Sequence, residues 1–201
     1  NNHQNDFEDI TQRLYPYHKG RTNFPLGFDC IAEVDSTYFS NFNKNKRSRG
    51  CQFTDIDLDG DLDLYITNYF LETDELYIND GQGYFKSVPP PKAVNQNSTV
   101  SNHGTGVDWY DFDNDGDFDL LLPQLAHPGY KEQYDHRGTT IFRNDNGTFT
   151  DLRDSHGIEY EETHAGAAFG DVNNDGLADI ITTVYYGCRY IDLYLQQANH
   201  R

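Results

Sequence analysis

Apolar and polar positions alternate with period two in short runs along this chain, and clusters of Asp, Asn and Gly separate the runs. Such alternation over four to eight residues marks half-buried strands, and Gly, Asn and Asp clusters mark the turns between them. Gly50–Thr54, Leu62–Thr67, Glu75–Ile78 and Tyr84–Val88 read as four strands, with a turn at Asn79–Gly83. The series repeats as Gly106–Tyr110, Phe118–Leu122, Thr140–Arg143 and Thr148–Leu152, with Asn144–Gly147 as a hairpin turn. Each set therefore runs strand, acidic loop, strand, connection, strand, tight turn, strand.

The acidic loops carry the chemistry. Asp111, Asp113, Asp115, Asp117 and Asp119 place five carboxylates in nine residues, with Gly116 at the sixth position. Those charges repel unless a cation lies among them. Calcium takes six to eight oxygen ligands at about 2.3–2.6 Å, and Asp at alternate positions of a tight loop can supply them. Gly permits the sharp turn that returns the ninth residue to the ion. The loop occurs three times, as Asp55, Asp57, Asp59, Asp61 and Asp63, as the copy above, and as Asp171, Asn173, Asp175, Leu177 and Asp179. The seventh position is expected to offer its backbone carbonyl, so Leu177 is compatible with binding there, although Asn173 and Leu177 in place of Asp weaken the third site without abolishing it. The copies start 56 and 60 residues apart, a recurrence that indicates repeat architecture. Up to three Ca2+ are expected. The flanking period of two excludes an EF-hand, and so do Ile66, Leu122 and Thr182 at the twelfth positions, where an EF-hand needs Glu.

Charge narrows the partners. The net charge is −18, and 13 of the 33 acidic residues lie in the three loops. Nucleic acid phosphates and anionic lipid surfaces would be repelled. Three bound Ca2+ would bring the charge to about −12. There is no apolar run long enough to span a membrane and no signal-peptide pattern. Met is absent, so a processed chain or a piece of a longer one is expected. Cys30, Cys51 and Cys188 allow one bridge with a thiol left over, or three buried thiols. Calcium loops tuned to millimolar metal favour an extracellular or cell-surface setting.

The block Trp-x-Asp-x-Asp-x-Asp-Gly-Asp-x-Asp-Leu, a strand, and then Asn-Asp-x-Gly-x-Phe resembles the FG-GAP/VCBS family, the calcium-loop repeats of integrin α-subunit heads and of many secreted bacterial and fungal proteins. The resemblance covers roughly residues 50–196. It implies an all-β, β-propeller-like array of four-stranded blades, with calcium held between the first two strands of each. It also implies adhesion, carbohydrate binding or assembly rather than catalysis, and no catalytic constellation emerges from the residues.

The chain ends depart from the pattern. The first two repeats close with Phe-x-x-aliphatic, Phe85 to Val88 and Phe149 to Leu152, whereas the third stops after Ile191–Leu195. The matching unit lies at the other end, at Phe7 to Ile10, so the last blade is expected to be completed by an N-terminal strand from the same or a neighbouring chain. The organisation expected is residues 1–13 as that strand, 14–49 as a connection or metal-free partial blade, and repeats at 50–92, 93–157 and 158–201. Donation between chains would give head-to-tail copies and a filament or surface fibre. The alternative function is a lectin or adhesion module binding glycan or protein.

Weaker signals complete the reading. Lys44, Lys46, Arg47 and Arg49 form either a solvated connection or a surface complementary to the acidic loops. Pro89–Pro91 is a stiff spacer. His127, Tyr130, Tyr134 and His136 interrupt the second repeat and could stack on sugar. His103 and His164 precede their loops by eight and seven residues and are expected to pack between repeats. Asn97 and Asn146 fit the N-glycosylation sequon, and Asn146 also suits a hairpin turn.

Overall fold

Backbone groups of alternating segments find partners only on neighbouring strands, and sheets form accordingly. The computed structural model describes residues 39–40, 47–69, 72–92, 101–125, 139–152, 164–185 and 191–197. The strands are β1 (Phe39–Ser40), β2 (Ser48–Thr54), β3 (Asp63–Asn68), β4 (Glu72–Thr73), β5 (Glu75–Asn79), β6 (Phe85–Val88), β7 (Ser101–Asn102), β8 (Asp108–Tyr110), β9 (Asp119–Leu122), β10 (Thr140–Asp145), β11 (Thr148–Asp151), β12 (His164–Gly170), β13 (Asp179–Val184) and β14 (Ile191–Tyr194). They build sheets ordered β1-β6-β5-β3-β2, β11-β10-β9-β8 and β12-β13-β14, with a small pair β4-β7.

Every pairing is antiparallel except β1 with β6. The protein is thus all-β, with one sheet per acidic loop. Among the described residues no closed propeller is present. Phe7, Ile10 and the rest of residues 1–38 lie outside the described residues, as do Asn97 and 126–138. Two pairings escaped the sequence reading: the parallel β1 strand inside residues 14–49, and the β4–β7 pair. β2 also begins at Ser48, two residues before the expected repeat boundary.

Side chains alternate between the two faces of a strand, so each sheet offers one face to each neighbour. On the leading face of the first sheet, Tyr65 and its cross-strand partner Leu76 join one buried cluster with Trp109, Leu120 and Phe142 of the second. On the leading face of the second, Leu121 and its partner Ile141 join another with Ile180 of the third, against which Phe169 and Tyr194 pack. Burying side chains of this size contributes about 1.5–3 kcal/mol each.

Polar groups register the sheets. The Gly104 N–H donates to Asn68 O at 3.0 Å, and the His164 N–H donates to Gln124 O at 3.3 Å. These are the same positions in successive repeats. Asp108 ties all three sheets, accepting from Gln52 Nε2 at 3.2 Å and from the Phe169 N–H at 2.8 Å. Close approach fixes one glycine: a Cβ on Gly50 would lie 2.7 Å from Gly106 Cα.

Candidate metal centre

Each acidic loop joins the first two strands of its sheet, and its own backbone amides shape it. The first Asp accepts from the amides of the fifth and sixth residues. Asp55 takes Asp59 N and Gly60 N at 3.0 and 3.1 Å, Asp111 takes Asp115 N and Gly116 N at 3.0 and 3.1 Å, and Asp171 takes Asp175 N and Gly176 N at 3.1 and 3.0 Å. Asp59, Asp115 and Asp175 accept from the residue at position seven. The chain turns through left-handed backbone at position four, with φ of 59°, 62° and 59° at Leu58, Asn114 and Asn174, and at the following Gly60, Gly116 and Gly176.

The ninth carboxylate is a bracket. Asp63, Asp119 and Asp179 are buried. One oxygen of each accepts from the second loop residue (Ile56, Phe112 and Val172, at 2.9, 2.9 and 3.0 Å). The other accepts from the far end of the third strand or just beyond it (Asn79, Asn144 and Gln196, at 2.9, 2.8 and 2.9 Å). Each carboxylate oxygen keeps lone-pair capacity for a cation beside the amide it holds.

This scaffold brings carboxylate oxygens together. Carboxylate oxygens of Asp55, Asp57 and Asp59 lie within 4.8 Å of one another, and so do those of Asp111, Asp113 and Asp115. Asp61 Oδ1 and Asp117 Oδ1, at position seven, are buried and lack a hydrogen-bond partner among the described residues. Converging anionic oxygens and orphaned buried ones fit a hard divalent cation such as Ca2+. Burial, then neighbouring carboxylates, raises Asp57, Asp61 and Asp113 above the usual range. Asp117 is raised chiefly by burial, and Asp119 is pushed up to about 7 for the same reason, against the pull of its two amide bonds. The third loop differs because Asn173 Nδ2 donates to Asp175 Oδ2 at 2.9 Å, relieving repulsion without an ion.

A family model for FG-GAP-like repeats matches residues 55–122 and 133–182, more than half of the chain. The chain belongs to the FG-GAP-like repeat family. No individual curated protein matches it.

Other expected residues find places in this FG-GAP-like array. Asn146 and Gly147 have φ of 52° and 83°, the left-handed pair of a two-residue hairpin. The Asn146 amide also donates to Asp117 at 2.6 Å, latching the hairpin to position seven. That latch, and the bracket from Asn79 and Asn144, went unrecognised in the sequence, although the Asn-Asp turn block carried both. Arg47 and Arg49 do not face the loops. Arg47 pairs with Glu72 at 3.4 Å, and Arg49 lies over the Tyr69 ring at 4.6 Å, because these partners stand beside β2 while the loops lie at its other end. His103 is buried edge-on against Tyr69, and His164 Nδ1 shares a 2.6 Å hydrogen bond with Thr139 Oγ1. Cys51 is an exposed free thiol, while Cys30 and Cys188 lie outside the described residues.

Leu58 is the one non-Asn residue at the left-handed fourth position of the loops, and it is 53 % exposed. A side chain with a γ-branch gains nothing there. Leu58→Asn is expected to raise stability by about 1 kcal/mol, read from chemical denaturation, with calcium affinity maintained. A loss of stability would show that the Leu58 side chain makes a contact that outweighs the backbone cost.

Proposed function

We propose that this FG-GAP-like chain is a non-enzymatic, calcium-stabilised structural module that works outside the cell and assembles with further copies of itself. Ca2+ would be held by Asp55, Asp57, Asp59, Asp61 and Asp63, by Asp111, Asp113, Asp115, Asp117 and Asp119, and more weakly by Asp171, Asn173, Asp175, Asp179 and the backbone of Leu177. Most of the loop carboxylates already carry amide bonds and all would carry the ion, which leaves no general acid and base pair among them.

One observation carries the assembly reading. The first two sheets each continue past their Asn-Asp turn into a fourth strand, β6 or β11, whereas β14 is the edge of a three-stranded sheet among the described residues. A strand can be added along the edge of a sheet, with main-chain hydrogen bonds supplying the affinity. The segment Phe7 to Ile10 has the Phe-x-x-aliphatic pattern of β6 and β11, and its insertion into a neighbouring copy would complete the sheet. Deleting residues 1–12 should leave soluble monomers by sedimentation in calcium, and polymers that survive the deletion would overturn strand donation.

A further inference from the structure

The three loop-bearing sheets stack by one rule, and among the described residues the rule is left unfinished at both ends. Cross-strand neighbours give each trailing face a row of aromatic, aliphatic and aromatic side chains: Phe53-Leu64-Tyr77, Trp109-Leu120-Phe142 and Phe169-Ile180-Tyr194. Each leading face carries an apolar pair one register position on: Tyr65-Leu76, Leu121-Ile141 and Ile181-Leu193. At both internal junctions the leading pair is buried in a cluster with the next trailing row. The third leading pair is not. Ile181 is 40 % exposed and Leu193 52 %, with Ile191 at 60 % on the same face.

At the other end Phe53 is 56 % exposed, and Cys51 is exposed where Val107 and Ala167 pack at the internal junctions. Tyr77 is already buried, so the open part of that trailing face is Cys51, Phe53 and Leu64.

A repeat that ends an array needs a polar outer face. The leading face of the third sheet is largely apolar, with Thr183 as its exposed polar member, and Ala168 stands where Gln52 and Asp108 tie the internal junctions. We propose that the leading face of the third sheet receives the trailing face of the first sheet of a second copy, with Ile181 and Leu193 packing on Phe53 and Leu64. This rests on the self-association reading above but names a different contact, sheet face against sheet face rather than strand against edge. The contact is heterologous, so it closes into a ring or continues as an open array according to the rotation per repeat. Counting the described residues alone, two copies would supply six such sheets, within the four to eight of closed propellers.

The test uses the full chain with calcium. Wild-type protein should associate with rising concentration in sedimentation velocity. Ile181→Glu/Leu193→Glu and, separately, Phe53→Glu should weaken association by about a hundredfold or more, because each strands charge in an apolar contact. Mixing the two variants should restore one-to-one pairs, since each keeps one intact face. Unchanged melting temperature and calcium-loop Tb3+ luminescence would show that the variants fold. A milder variant, Ile181→Cys, should form a disulfide with Cys51 of another copy when dissolved oxygen is supplied as the oxidant, identified by mass after mixing isotopically labelled and unlabelled chains.

A disulfide within one chain would overturn the second copy as occupant. A folded Ile181→Glu/Leu193→Glu protein that associates like wild type, while deletion of residues 1–12 abolishes association, would overturn the face contact and leave strand donation standing. Wild-type protein that stays monomeric at every concentration would sink both.

Discussion

Chelation should lower the melting temperature of this protein by about 15 °C. A ligand that binds only the folded state at a hundred times its Kd adds about 2.7 kcal/mol. Two full five-Asp loops would thus supply about 5 kcal/mol, a large share of the 5–15 kcal/mol that ordinary domains possess. At this chain length each kcal/mol moves the midpoint by about 2–4 °C. The dependence on pH has a definite sign. Asp119 is pushed up to about 7 by burial, so the folded, metal-free protein holds its proton more tightly than the unfolded chain. Its contribution is therefore most favourable below the ordinary carboxylate range and is lost as pH rises towards about 7. Asp57, Asp61, Asp113 and Asp117 are raised too and act in the same direction. Calcium reverses this, because the ion needs the ionised form. Melting curves in EDTA and in calcium should diverge as pH increases from 5 to 7.5. Coincident curves across that range would rule out a calcium-dependent fold.

Local regularities were legible in the sequence because they follow from spacing. The nine-residue loops, the strands on either side of them and the Asn146-Gly147 turn each rest on residues within a short window. The ties between repeats do not. Asp108 reaches Gln52 and the Phe169 amide across 56 and 61 residues, and nothing in its neighbourhood distinguishes it from a solvated acid. The Asp119 bracket hides in the same way, since its second partner is the Asn144 amide, 25 residues on, and a backbone donor leaves no mark on residue identity. The basic cluster stayed open between a solvated connection and a surface complementary to the acidic loops, because charge alone does not say which way a side chain faces. Chain direction places Arg47 and Arg49 at the far end of β2, beside Glu72 and Tyr69.

Trp109→Ala should destabilise the protein by about 3–5 kcal/mol, which is about 10–15 °C in melting temperature at this length. Trp109 is buried, meets Tyr65 edge-on at 5.7 Å and Phe149 at 6.2 Å, and so fastens the first sheet to the second. Its removal takes away indole area and both edge contacts, and it leaves a cavity bounded by strands that cannot close in while Gly50 and Gly106 are already in contact. Trp109→Phe is the informative control. The indole Nε1 is buried without a hydrogen-bond partner among the described residues, so Phe gives up no bond there. Phe53 and Phe169 occupy the corresponding positions in the other repeats, which shows that the trailing face accepts the smaller ring. Trp109→Phe should cost about 1–2 kcal/mol. The second acidic loop begins two residues after Trp109, so terbium affinity at that loop should fall in the Ala variant and hold in the Phe variant. A Trp109→Ala protein melting within about 2 °C of wild type, less than 1 kcal/mol of loss, would mean that the first two sheets are not held together by the cluster around this ring.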